Sequence, residues 1–184
     1  MAEADEHLVS RALVDRDTQA FGELVRRYQS RVRGWLRHLA RDAVLADDLA
    51  QETFIRAWKK LSAFKGKGSF EAWLLGIARN EFLQHRRKAG REVNRMERLE
   101  SQTRTALDSG AAQAYQGESS DAHRFLDILG PDERDIMILV YGIGLSHSEA
   151  SEVSGLPLGT VKSHVRRSVS RIRERFGLEG FGNG

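Results

Sequence analysis

Three groups of residues in this 184-residue chain carry side chains of the kinds that recognise other molecules. Lys162, Ser163, Arg166 and Arg167 form a cationic, hydrogen-bonding set near the C-terminus. Arginine grips a guanine edge with two parallel donors, while lysine and serine reach phosphates or single acceptors. Arg79, Asn80, Arg86 and Arg87, preceded by Phe64, Lys65 and Lys67, make a second basic set that includes an aromatic ring. That combination suits single-stranded nucleic acid, where cations follow the phosphates and ring faces hold unstacked bases. Asp47, Asp48, Gln51 and Glu52 are the counterweight, an acidic and amide group suited to a basic partner. Its plainer alternative is helix capping and solvation of the two aspartates.

The elements that must position these groups are helices. Leu145 to Phe176 has the grammar of a helix-turn-helix. Ser146 and Glu149 are spaced as a capping box, so a helix starts there. Gly155 and Pro157 stop it within about two turns. Thr160 is expected to cap a second, longer helix with Val161, Val165, Ile172 and Phe176 as its apolar stripe. Such a pair suits the major groove, into which the N-terminal residues of the second helix reach. A solvated basic helix packed on its neighbour is the plainer reading of the same residues.

Earlier in the chain, Leu8 to Leu13 and Phe21 to Leu39 show helical spacing, with Phe21, Leu24, Val25, Tyr28, Val32, Trp35, Leu36 and Leu39 on one side. Asp42 to Leu61 is the next helix: Asp47, Asp48, Gln51, Glu52, Ile55 and Lys59 share a broad face, and Ala50, Phe54, Ala57, Trp58 and Leu61 make the other. Ser62 to Ser69 reads as a glycine loop. Phe70 opens a helix whose inner side is Phe70, Trp73, Leu74 and Ile77 and whose outer side carries Arg79, Asn80, Leu83, Arg86 and Arg87. From about Gly90 to Asp121 the pattern dissolves into a polar stretch too poor in apolar residues to offset the entropy of ordering, which reads as a linker. Ala122 to Leu129 resumes a helix. Pro131 starts another, with Ile136, Leu139, Val140 and Ile143 as the expected buried stripe, ending at Gly142 or Gly144.

The chain is long enough for one ordinary domain or two small ones. Net charge is only +3, but the basic residues are clustered rather than spread, which points to two places that meet a polyanion. With no cysteine there is neither a disulfide framework nor a thiolate metal site. The N-terminus lacks the basic leader and apolar run of a signal peptide, and no stretch is apolar enough to span a bilayer, so a cytoplasmic setting is expected. A nuclease using Asp47, Asp48 and Glu52 is the enzymatic alternative. Carboxylates along a single helix do not by themselves converge on one metal ion, however, and the six histidines are scattered. A freestanding repressor or activator is the other alternative. It would usually dimerise, and it would leave the Arg79 to Arg87 helix without a role.

The succession DDLAQETFIRAW, FEAWLLGIARNEFLQHRR, a polar linker, and LGPDERDIMILVYGIGLSHSEASEVSGLPLGTVKSHVRRS resembles the extracytoplasmic-function group of sigma-70 family factors of bacterial RNA polymerase. The likeness runs from about Phe21 to Phe176. It implies an all-α fold of two small helical domains: a region 2 bundle over 1–90 and a region 4 helix-turn-helix over 122–184, joined by a flexible linker over 91–121. It implies no enzymatic activity, no cofactor, no small-molecule substrate and no direct membrane insertion. Core RNA polymerase, promoter DNA and an anti-sigma factor are the implied partners. Asp47, Asp48, Gln51 and Glu52 would meet a coiled coil of the largest polymerase subunit. Phe64, Lys65, Lys67, Arg79, Asn80, Arg86 and Arg87 would face the non-template strand at the minus-ten element. Lys162, Ser163, Arg166 and Arg167 would enter the major groove of the minus-thirty-five element. Within the linker, Glu97, Glu100, Asp108 and Glu118 would mimic nucleic acid or simply solvate a tether. Ser151 stands where the family usually has alanine, and His164 and Arg166 stand at positions that vary within it.

Overall fold

The computed structural model describes residues 4–100 and 121–177, without the side chains of 93–100 and 121–123, and these fall in two compact units, Met1–Tyr115 and Gln116–Gly184. All regular structure among the described residues is helical.

The first unit packs four helices, α1 (Asp5–Val14), α2 (Thr18–Ala40), α3 (Ala43–Lys59) and α4 (Phe70–Glu100). Asp17 starts α2 and Asp42 starts α3 by the same device: each carboxylate accepts two orphan backbone N–H groups, at 2.8–3.0 Å. A cap of this kind satisfies donors for which the first turn of the helix has no acceptor of its own. The α2 stripe read from the sequence is the core of the unit, with Leu24, Val32, Trp35 and Leu36 at 1% exposure or less. Val25 and Leu39 lie at its half-buried margin. Asp5 ties α1 to α2 through Arg27 at 2.5 Å and through the Tyr28 hydroxyl.

Between α3 and α4 a single 3-10 turn, Leu61–Ala63, leads into the glycine loop. Gly66 and Gly68 adopt φ of 67° and 75°, a left-handed backbone that a side chain would strain. Helix α4 then runs past Gly90 to Glu100, into the stretch read from the sequence as a linker, whose residues 101–120, Asp108 and Glu118 among them, lie outside the described residues. A lone glycine costs about 1 kcal/mol in a helix interior, and the arginine, glutamate, methionine and leucine that follow favour the helix enough to carry it through.

The second unit holds α5 (Asp121–Asp127), α6 (Pro131–Met137), α7 (His147–Ser154) and α8 (Leu158–Phe176). Pro131 does open α6, but from Ile138 to Ile143 the helix widens to π geometry. Extra residues per turn rotate the buried stripe. Ile136, Met137 and Leu139 are buried, while Val140 and Ile143, expected inside, are only half-buried. Gly144 closes the segment at φ 91°. Phe125 and Phe176 meet edge to face, 4.7 Å between centroids, and fasten the C-terminal end of α8 to α5. No helix among the described residues is long and apolar enough to cross a membrane.

Candidate docking and nucleic-acid interfaces

Ala46, Leu49, Ala50, Thr53 and Ala57 turn α3 towards the bundle, which leaves Asp48, Gln51, Glu52, Ile55 and Lys59 exposed along its outer side. Val44 continues that face by one turn, at 74% exposure, and Ile55 is 48% exposed. The helical projection of the sequence places Ile55 on this face, and only Val44 is passed over. The available signal is its spacing from Asp48 and Glu52, since residues 44, 48, 52 and 55 fall at three- and four-residue steps. Asp47, grouped with the acidic face in the sequence, is half-buried where Asp48 and Glu52 are exposed. Its carboxylate lies 3.4 Å from Arg37 and 3.6 Å from Arg33, both on α2, and it serves the α2–α3 contact. The outer face of α3 is therefore acidic at its centre, flanked by the apolar Val44 and Ile55 and closed by Lys59, a composition suited to a basic, partly apolar protein surface.

Behind this face lies a carboxylate that the sequence reading missed. Glu81 on α4 is 6% exposed and meets the Arg56 guanidinium at 2.6 Å. Burial holds its carboxyl above the usual carboxylate range, Arg56 opposes that shift, and the charge of Glu52 adds to it.

On α4 the outward row is real: Asn80, Arg86 and Arg87 are exposed and Arg79 is half-buried. The Arg86 guanidinium lies 5.8 Å from the centre of the buried Phe82 ring, which steadies the side chain by a cation–π contact. Lys65 and Lys67 are exposed on the glycine loop beside this helix. Phe64 is placed differently from the free stacking group expected. Its ring is half-buried, edge-on to Phe70 at 5.6 Å and tilted against Trp73 at 5.5 Å. Phe70 belongs to the core at 4% exposure, whereas Trp73 is half-buried. The three rings and Tyr28, 5.8 Å from Phe70, make one aromatic cluster that anchors the loop.

In the second unit the capping box of α7 forms as read: the Glu149 N–H donates to the Ser146 hydroxyl and the Ser146 N–H to the Glu149 carboxylate. Gly155 ends α7 at φ 69°. The Ser151 hydroxyl donates to the Leu156 carbonyl at 2.6 Å, so this serine satisfies a turn carbonyl that alanine could not. Thr160 does not start the next helix. Pro157 fixes the chain at φ −56°, and its carbonyl accepts from Thr160 and Val161, so α8 begins at Leu158 with Thr160 already in its first turn.

Val161 and Val165 pack inward and Ile172 and Phe176 are half-buried. Lys162 and Arg166 are exposed, one turn apart, and Ser163 is half-buried beside them. Arg167, although 54% exposed, is drawn inward. Its Nη2 lies 3.2 Å from the His164 ring nitrogen and its Nε 3.8 Å from the Glu133 carboxylate. Each basic row thus sits on a helix whose opposite side is fixed in a core. Among the described residues, no three His, Cys, Asp or Glu side chains gather where they could hold a metal ion together.

Known proteins match the chain in both halves. The family described as "Sigma-70 region 2" matches residues 24–92, and "Sigma-70, region 4" matches residues 125–174. The chain is 34% identical over 142 residues to the ECF RNA polymerase sigma factor EcfG of Rhodopseudomonas palustris, covering 77% of each protein. It is 31% identical over 189 residues to the RNA polymerase sigma-H factor of Pseudomonas aeruginosa, covering 92% of each. Among solved structures, it is similar to the sigma factor RpoE of Bartonella quintana, seen in complex with the anti-sigma factor NepR. That match has a TM-score of 0.64 and 29% identity, and covers 89% of this chain and all of that one. CnrH, solved with the cytosolic domain of CnrY, shares the fold at a TM-score of 0.63 and 24% identity.

Proposed function

Since this chain belongs to the ECF sigma factors of RNA polymerase, we propose that it docks on core polymerase through the outer face of α3 and directs it to promoters through α4 and α8. Membership of the family displaces the freestanding helix-turn-helix regulator as a reading. The observation that carries the proposal is the segregation of surfaces: Asp48, Gln51 and Glu52 exposed on α3, and cationic rows exposed on α4 and α8.

In this reading Asp48, Gln51 and Glu52, flanked by Val44 and Ile55, meet the coiled coil of the largest polymerase subunit, and Asp47 holds the helix in place. Lys65, Lys67, Arg79, Asn80, Arg86 and Arg87 follow the non-template strand at the minus-ten element. Phe64 shapes that loop from within the aromatic cluster. Lys162, Ser163 and Arg166 enter the major groove at the minus-thirty-five element, with Arg167 at the edge of that contact. The protein performs no bond chemistry of its own; the polymerase does. It works in the cytoplasm, where polymerase is, and is held inactive by an anti-sigma factor that covers the docking face, as NepR accompanies RpoE in the similar structure.

The test is run-off transcription with purified core polymerase, this protein and a pool of genomic fragments. New start sites sharing an upstream sequence pair are expected. No new transcript from any template would refute the reading.

A further inference from the structure

One carboxylate in the second unit gathers much of the recognition helix around it. Glu133, on α6, is 8% exposed. Its Oε2 accepts from the Gly130 N–H at 3.2 Å and from Arg171 Nη1 at 2.6 Å. Its Oε1 lies 3.8 Å from Arg167 Nε and 4.0 Å from His164 Nδ1, and Arg167 Nη2 is 3.2 Å from that same ring nitrogen. His164, Arg167 and Arg171 follow one another at three- and four-residue steps, so a single α6 side chain addresses a whole stripe of α8.

We propose that Glu133 is a positioning residue for DNA recognition: it holds the Arg167 and Arg171 guanidiniums back towards the body of the domain, leaving Lys162 and Arg166 to make the first contacts. The inference rests on the proposed reading of α8 as a DNA-contacting helix. A carboxylate and a phosphate compete for the same guanidinium donors, so Arg167 reaches DNA only by exchanging one for the other. Glu133 therefore sets how many cations α8 presents at once. It restrains binding to arbitrary duplex, to which each neutralised phosphate contributes regardless of sequence. The half-exposed Arg167, bonded at 3.2 Å to His164 but only within 3.8 Å of Glu133, is the side chain poised to exchange. Arg171, at 2.6 Å, is held more firmly.

The experiment measures binding of the full-length chain to a fluorescein-labelled duplex of arbitrary sequence across a series of KCl concentrations. Each phosphate contact adds about −0.9 to the slope of log K against log salt. Glu133→Gln is expected to steepen the slope by about 1 to 2, as Arg167 alone or with Arg171 is released. Adding Arg167→Gln and Arg171→Gln to that variant should remove the gain, and Glu174→Gln, which removes an exposed α8 charge, should not reproduce it. A Glu133→Gln slope equal to wild type overturns the inference, as does a gain that survives loss of both arginines. Should Glu133→Gln fail to fold, Glu133→Asp keeps the charge but withdraws it by one methylene; a slope between those of wild type and full release is then required, and a wild-type slope overturns the inference. If Lys162→Gln with Arg166→Gln leaves wild-type binding intact, the DNA reading of α8 itself fails. If that pair weakens binding while Glu133→Gln changes nothing, only the positioning role fails.

Discussion

Arg56 on α3 places its Nε 2.6 Å from the carboxylate of Glu81 on α4, tying the helix that carries the acidic face to the helix that carries the α4 basic row. Glu81 is 7% exposed in its side chain and Arg56 38%, so the pair is a buried carboxylate closed by a guanidinium at the surface.

The pair predicts a pH dependence of stability. Burial raises the Glu81 carboxyl above its ordinary value of 4.5, so above that value the folded chain holds a proton that the unfolded chain has already released. The contribution is fully present below about pH 4.5 and is lost as pH rises through the folded value. Glu81→Gln should flatten this part of the profile, read by urea unfolding at a series of pH values rising from the ordinary carboxyl value of 4.5. Arg56→Ala should cost at most about 3 kcal/mol at neutral pH, because it leaves the carboxylate buried without its partner. A profile unchanged by Glu81→Gln would assign the slope to other groups.

On α3, the sequence groups Asp47 with Asp48 and Glu52, but the structure separates them. Reversing Asp48 and Glu52 together should weaken capture of core polymerase by about a hundredfold, with the helical circular dichroism unchanged. Asp47→Ala should instead lower thermal stability slightly, by about 0.5 kcal/mol for a half-exposed ion pair, and leave capture near wild type. Ile55→Ala and Val44→Ala should each weaken capture about five- to tenfold if apolar contacts complete the interface. Equal effects from Asp47 and Asp48 would undo this division.

Phe64 and its neighbouring lysines should part company in the same way. Phe64→Ala removes a half-buried ring from Phe70 and Trp73 and should cost about 1–2 kcal/mol of stability, below the penalty for a fully buried ring. Lys65→Ala with Lys67→Ala should leave the melting temperature within error and reduce the salt dependence of open-complex formation on promoter DNA. A stable Phe64→Ala protein that fails only in promoter opening would mean that the ring acts directly on a base.

The turn between α7 and α8 supports a fourth prediction. Ser151→Ala removes the donor to the Leu156 carbonyl and should cost about 1 kcal/mol. Gly155→Ala, forced to keep φ 69°, should cost a further 1–2 kcal/mol or so. Both are expected to weaken transcription from promoters that depend on the upstream element more than from those that do not. Thr160→Ala should be comparatively mild, since Pro157, not Thr160, precedes the first residue of α8.

The sequence alone determines the helical character, the α2 core stripe, the Ser146–Glu149 cap and the placement of the cationic rows on outward faces, because each follows from local spacing within one helix. It also carries enough ordered likeness to imply the family. It does not reveal which charges are already engaged. Asp47 and Asp48 are adjacent in the chain and chemically alike, and only the packing of α2 against α3 turns one towards Arg33 and Arg37 and leaves the other exposed. Arg167 is likewise indistinguishable from Arg166 until α6 brings Glu133 beside it, 34 residues away in the chain. The π segment at Ile138 rotates a stripe that ordinary 3.6-residue periodicity places one way. Local periodicity fixes the direction in which a side chain leaves its own helix. Whether it then meets solvent or an opposite charge depends on a second helix, and only the tertiary structure decides that.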